Sequence, residues 1–239
     1  MSRIKNSFIN VIVALAGQFL GIIISFVARI FFIKILGAEY LGINGLFTNI
    51  LTVISLVELG IGPAIVYSLY KPLAQKDTRK VKALMQLYKK TYTIIGIVVG
   101  ILGVATAPFI QYFIKETPEF LDVNLIFLLF VLNSAISYFF AYKRNLIIAD
   151  QHRYVATVYR YIFFALLNVL QIVFLYFTGS YLVFLSLQII STLMENVAVA
   201  RHADKMYPFL KDREHEKLDS ETINEIKKNT GAMVLHKIG

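Results

Sequence analysis

Residues 161–194, YIFFALLNVLQIVFLYFTGSYLVFLSLQIISTLM, contain no charged side chain. A helix that crosses a bilayer needs about 20 predominantly apolar residues, so this stretch is too long for one span and long enough for two. Gly179-Ser180 is the natural turn that divides it. Lipid offers an open backbone no hydrogen-bond partner, so runs of this kind are helices. Outward from this pair, apolar runs of the same length recur at 9–33, 42–67, 91–114 and 123–142, ahead of 154–177 and 181–200. The expected fold is all-α, a polytopic membrane protein with a six-helix bundle.

Composition agrees. The chain is 57% hydrophobic and 16% charged, against about 45–50% and about 25% for an ordinary soluble domain. There is no cysteine, which excludes disulfides, Cys-ligated zinc and thiol catalysis but leaves the compartment open. Tryptophan is also absent, so an interfacial aromatic belt would rest on the 14 tyrosines. The N-terminal run begins like a secretory signal, with Arg3, Lys5 and an Ala14-Leu15-Ala16 triplet. It continues to Ile33, interrupted only by Arg29, which is longer than a signal core and long enough to span.

Charge bias sets the expected orientation. One set of flanks carries Arg3, Lys5, Lys71, Lys76, Arg79, Lys80, Lys82, Lys89, Lys90, Lys143, Arg144 and Arg153. The opposite loops carry Lys34 and Lys115 among Glu39, Glu116, Glu119 and Asp122. The first set reads as cytoplasmic, with both termini inside a bacterial cell membrane. By domain, 1–200 is the six-span bundle, 201–230 a charged cytoplasmic linker, and 231–239 the start of a further membrane-associated helix. The chain then reads as the front part of a longer protein, and a short interfacial terminal helix is the other reading.

Several functions have no motif here. No G-x-x-x-x-G-K-[ST] marks a nucleotide site, and no G-x-S-x-G surrounds a serine. His152, His202, His215 and His236 lack metal-ligand spacing. No cofactor, metal or enzyme activity is expected, and the basic flanks fit topology and anionic lipid better than nucleic acid.

Ionisable residues inside spans are expensive and are functional candidates by default. Here they are Arg29, Glu58, Arg160 and Glu195. Arg29 ends a helical stripe of Ala14, Gln18, Gly21, Ser25 and Arg29, in steps of four, three, four and four. Two readings stand for it: lining a cavity, or snorkelling and close helix packing. At about 1.5 Å rise per residue, Glu58, Arg160 and Glu195 fall at one depth near the cytoplasmic side. Glu58 and Arg160 are then expected to pair, with Glu195 competing, and a structural polar network is the alternative. Gly60, Gly62 and Pro63 follow Glu58 as a hinge, because proline removes a donor and glycine permits bending. Broken helices of this kind line transport pathways.

Residues 28–77, ARIFFIKILGAEYLGINGLFTNILTVISLVELGIGPAIVYSLYKPLAQKD, resemble the polysaccharide flippases of the MOP superfamily, relatives of MATE transporters. The matching features are an Arg near the end of the first helix, a Leu-Gly-x-Glu-x-x-Gly turn (Leu36, Gly37, Glu39, Gly42) and the Glu-Leu-Gly-Ile-Gly element of residues 58–62. The resemblance is nearest to bacterial O-antigen (lipopolysaccharide) and teichoic-acid exporters. It implies two six-helix lobes around a cavity, of which this chain corresponds to one lobe of a MATE-like transporter. The second lobe would be missing or supplied by a homodimer. It also implies movement of an undecaprenyl-pyrophosphate-linked oligosaccharide across the membrane for polysaccharide biosynthesis. The partners would be that lipid-linked glycan, membrane lipids, and glycan polymerase or glycosyltransferases. Arg29 and Arg160 would meet the pyrophosphate. Gln18, Tyr161, Asn168 and Gln171 would meet the glycan, and Glu58 with Glu195 would serve ion coupling or a polar network. An ion-coupled exporter of small organic cations and a non-transporting scaffold of a glycan-synthesis complex remain as alternatives.

Overall fold

The structure, a computed structural model, describes residues 3–58, 60–114, 122–211, 218 and 220–238. Leu59, Lys115, Glu116, Glu119 and His215 lie outside the described residues. The chain is all-α, without a strand among the described residues. In order, the helices are α1 (Arg3–Leu36), α2 (Ala38–Ile54), α3 (Ile61–Ala74), α4 (Thr78–Thr106) and α5 (Val123–Tyr138). Then come α6 (Ala141–Ala149), α7 (Arg153–Thr178), α8 (Tyr181–Met206) and α9 (Ser220–Ile238). Tighter 3₁₀ turns extend α2 over Ser55–Glu58 and α4 over Ala107–Phe113.

Five segments are long and apolar enough to cross a membrane, and a sixth is completed by α5 and α6, which are bent by 44°. The protein is therefore a multi-pass membrane protein. The uncharged stretch divides where its glycine stands. Gly179 closes α7 in the left-handed conformation (φ 59°), and the Ser180 hydroxyl accepts from Val183 N to cap α8. Asp77 and Asp122 cap α4 and α5 in the same way, each accepting the backbone N–H three residues on.

Two boundaries differ from the sequence reading. The expected span 42–67 is interrupted: the crossing segment ends at Glu58, and α3 starts afresh at Ile61. Between them Gly60 is buried at φ 84°, a left-handed geometry that ends one helix and redirects the next. At the other end, α9 begins at Ser220, inside the segment read as a linker, and runs unbroken through 231. It packs on α3, and Ile226 and Thr230 share a small cavity with Ile61, Ile65 and Tyr88.

Apolar side chains form two buried clusters. One, around Ile65, Leu84, Tyr88, Tyr92, Leu146 and Ala203, holds the basic end together. The other, around Phe47, Ile110, Phe127, Phe130, Leu175 and Leu185, fills the opposite end. Polar clips finish the basic end. Asn10 donates to the Gln151 carbonyl (3.1 Å) and accepts from Tyr154 N (2.7 Å), tying α1 to the start of α7. Tyr207 donates to Asp150 (2.9 Å), and burial together with that carboxylate raises the phenol well above its ordinary pKa.

Helix α1 stands apart from these clusters over most of its length and packs chiefly along α7. Phe8, Phe19 and Phe26 on it are each about two-thirds exposed (67%, 66% and 66%). A soluble monomer rarely presents apolar surface on this scale, and lipid is the solvent that tolerates it.

Candidate functional site

The side of α1 that carries Gln18, Gly21, Ser25 and Arg29 faces Arg160, Tyr161, Phe164 and Asn168 of α7 across a groove of about 650 Å³. The two helices run parallel, because Asn10 meets Tyr154 and Gly17 meets Tyr161. Arg160 therefore lies beside the Gly17 level. Arg29 lies about 18 Å further along at 1.5 Å rise per residue. The groove thus has one guanidinium toward each end, and both arginines are exposed.

At the Arg29 end a second cavity of about 680 Å³ continues toward α2 and α8, lined by Asn44, Thr48, Asn168, Gln171 and Gln188 together with Arg29. The six residues expected to meet substrate are therefore brought together. Gln18, Arg29, Arg160, Tyr161 and Asn168 line the first cavity, and Gln171 joins Arg29 and Asn168 in the second. Their roles are unequal. Asn168 and Gln171 are buried and donate to the backbone carbonyls of Phe164 (2.7 Å) and Phe184 (3.1 Å). Tyr161 lays its ring over Gly17 and Gly21. A Cβ at Gly17 would fall 2.1 Å from the ring, so the small residue makes the seat. Tyr161 is at once a wall of the groove and the joint between α1 and α7.

The inner charged layer is wired differently from the depth estimate. No ion pair joins Arg160 to Glu58 or Glu195 among the described residues. Glu58 accepts from the Tyr92 hydroxyl (3.2 Å), which in turn accepts from Asn145 Nδ2 (2.9 Å). Glu195 is paired with Arg144, which also donates to Asn196 Oδ1 (3.4 Å). Helix rise fixes depth but not azimuth. α7 turns Arg160 toward α1, whereas the turn that bears Glu58 packs on α4. The bend between α5 and α6 brings Arg144 to α8.

The hinge residues are explained by this wiring. A Cβ on Gly62 would lie 3.1 Å from the Tyr92 hydroxyl and 3.4 Å from Glu58 Oε1, so a side chain there crowds their hydrogen bond. Pro63 sits in the first turn of α3, where the missing N–H is not needed. Sequence reasoning missed Tyr92, Asn145 and Gln188. Asn145 follows Lys143 and Arg144 in a run read only as a charged flank, and its polarity next to an apolar segment was the available signal.

Compared with family models, curated proteins and solved structures, the chain matches none.

Proposed function

We propose that the protein is one lobe of a flippase that moves a lipid-linked oligosaccharide of the undecaprenyl-pyrophosphate type across a bacterial cell membrane, with the basic end of the bundle cytoplasmic. The observation that carries this reading is the α1/α7 groove. It carries polar side chains, is open, lies in a face that is otherwise apolar and exposed, and holds two exposed arginines about 18 Å apart along the axis. Guanidinium groups bind phosphate oxygens bidentately. Two of them at different depths suit a pyrophosphate headgroup that must leave one leaflet and arrive in the other. Gln18, Ser25 and Gln188 add hydrogen-bonding groups for sugar hydroxyls. Because the groove is open on one side, the path needs a facing wall, from a second lobe or a second copy.

The test is recovery of surface polysaccharide in a bacterial cell that lacks its own flippase, with a facing lobe supplied. Arg29→Ala and Arg160→Ala each lower recovery while the protein level in the membrane stays constant, since both side chains are exposed. Arg29→Lys recovers only part, because lysine keeps the charge but loses the planar fork. Full recovery with both arginines replaced overturns the reading, and efflux of cationic dyes by that variant moves the assignment to an exporter of organic cations.

A further inference from the structure

A further cavity, with a volume of about 1060 Å³, lies at the basic end between α4, α6 and α8, with Leu210, Lys211 and Leu218 after α8 and Ile223 of α9 also at its wall. It shares no described lining residue with the α1/α7 groove. Its described walls carry Lys82, Lys89, Lys90, Lys143 and Lys211 against one carboxylate, Asp204. That carboxylate is already engaged, since Lys143 Nζ donates to both of its oxygens at 2.7 Å.

Lys82 is the unusual member. It is only 6% exposed, and no hydrogen-bond or ion-pair partner is present for it among the described residues. A buried ammonium without a counter-charge is costly. Placing it among further lysines, with Asp204 the one acid of the described walls and already engaged, raises that cost by repulsion. Such an arrangement gains when an anion enters, and a phosphate group supplies both the charge and several acceptors.

The floor of the cavity says which kind of phosphate. Lys89 and Lys90 are the last charges before the uncharged run 91–114, and Ile94 lines the cavity directly beneath them. From Lys90, steps of four, three and four reach Ile94, Ile97 and Ile101 on the same face of α4. Those isoleucines are 51%, 50% and 62% exposed. One helix face thus leads from a basic pocket at the membrane boundary down an open apolar track. Free phosphate has no use for the track, whereas an amphiphile uses both parts.

We propose that this cavity binds the phosphate headgroup of an anionic phospholipid in the leaflet at the basic end, with its acyl chains along Ile94, Ile97 and Ile101. The site is separate from the proposed transport groove and does not depend on that function. A lipid held there would bridge α4, α6 and α8 and act as a fixed structural ligand.

The experiment uses the protein purified in a neutral detergent, with dioleoylphosphatidylglycerol, dioleoylphosphatidylcholine or inorganic phosphate as the added probe. Phosphatidylglycerol is expected to raise the unfolding temperature in a saturable way and to remain bound in native mass spectrometry. Phosphatidylcholine is expected to do neither. Lys89→Gln with Lys90→Gln, both exposed positions, should lower the apparent phosphatidylglycerol affinity about thirtyfold, and Lys82→Met about tenfold. Lys34→Gln, an exposed position at the opposite end, should leave it unchanged. Undiminished binding in the Lys89/Lys90 double variant overturns the proposal even if Lys82→Met fails to fold. Equal stabilisation by inorganic phosphate alone overturns the lipid assignment, and equal binding of phosphatidylcholine overturns the role of the lysines.

Discussion

At the scale of single residues, a carboxylate in an apolar segment persists because its neighbours supply what lipid cannot. Glu58 has the Tyr92 hydroxyl, backed by Asn145, and Gly62 leaves the room in which they meet. Tyr92→Phe removes a hydrogen bond to a charged group, so thermal unfolding in detergent should report a loss of about 1.5–3 kcal/mol. Gly62→Ala should also destabilise, and combining it with Tyr92→Phe should cost less than the sum, because the alanine methyl crowds the hydroxyl that phenylalanine lacks. Additive losses would show that Gly62 is needed for some other reason. The Arg144–Glu195 pair permits a second cycle. Its side chains keep 28% and 18% exposure, so stranding one partner should cost less than the roughly 3–5 kcal/mol of a fully buried pair, on the order of 1–3 kcal/mol. Arg144→Gln and Glu195→Gln should be strongly non-additive. Glu58→Gln and Arg160→Gln should simply add, since no ion pair joins them. The opposite pattern would restore the pairing that depth alone suggests.

At the scale of elements, the spans were legible and their faces were not. Uncharged runs bounded by charges and a Gly-Ser turn located the membrane helices, because length and apolarity are what lipid selects. The breaks were legible only in part. Glu-Leu-Gly-Ile-Gly announced a disruption, but the run on either side stays apolar, so nothing in the pattern showed that crossing ends at Glu58. The bend between α5 and α6 falls at Phe139 and Phe140, which contain neither glycine nor proline, and it carries no local signal. Azimuth was hidden for a further reason. In lipid both faces of a helix are apolar, and the stripe that orients a soluble helix is weak. Two substitutions test the joints that resulted. Gly60→Ala must hold an L-residue at φ 84°, a strain of about 1–2 kcal/mol, and the unfolding temperature should fall accordingly. Gly17→Leu must displace the Tyr161 ring from its seat. It should loosen α1 from α7, seen as faster proteolysis or hydrogen exchange in α1 than in α8. Unchanged exchange in α1 would mean that Asn10 and the remaining contacts hold the pair without that seat.

At the scale of the whole molecule, the stripe on α1 decides between two uses of an exposed helix, a cavity wall or a lipid-facing prop. The stripe itself was legible, since small and polar residues at steps of three and four share a face. Its partner was legible only through the family resemblance, which sets Arg160 with Arg29 at the pyrophosphate; depth alone pairs Arg160 with Glu58, whereas its azimuth belongs to the groove. A membrane helix with one wetted face has a signature that the cysteine-free chain makes easy to read. Single cysteines at Gln18 and Ser25 would lie in the groove, whereas those at Ile23 and Val27 would lie on the opposite side of α1, by the 100° turn between successive residues. A thiol in water ionises and reacts with a charged thiol reagent, and one held in lipid does neither. Membranes labelled with such a reagent should therefore show fast reaction at 18 and 25 and slow reaction at 23 and 27. Arg29 and Arg160 in the same groove should favour negatively charged reagents over positive ones of equal size, and raising the salt should reduce that preference. Cysteines at Lys80 and Ser180 add the orientation, with only the second reached from outside intact cells. Uniform labelling around α1, or a preference for the positive reagent, would leave the arginines without a cavity to serve. They would then be snorkelling side chains on a helix that only braces the bundle.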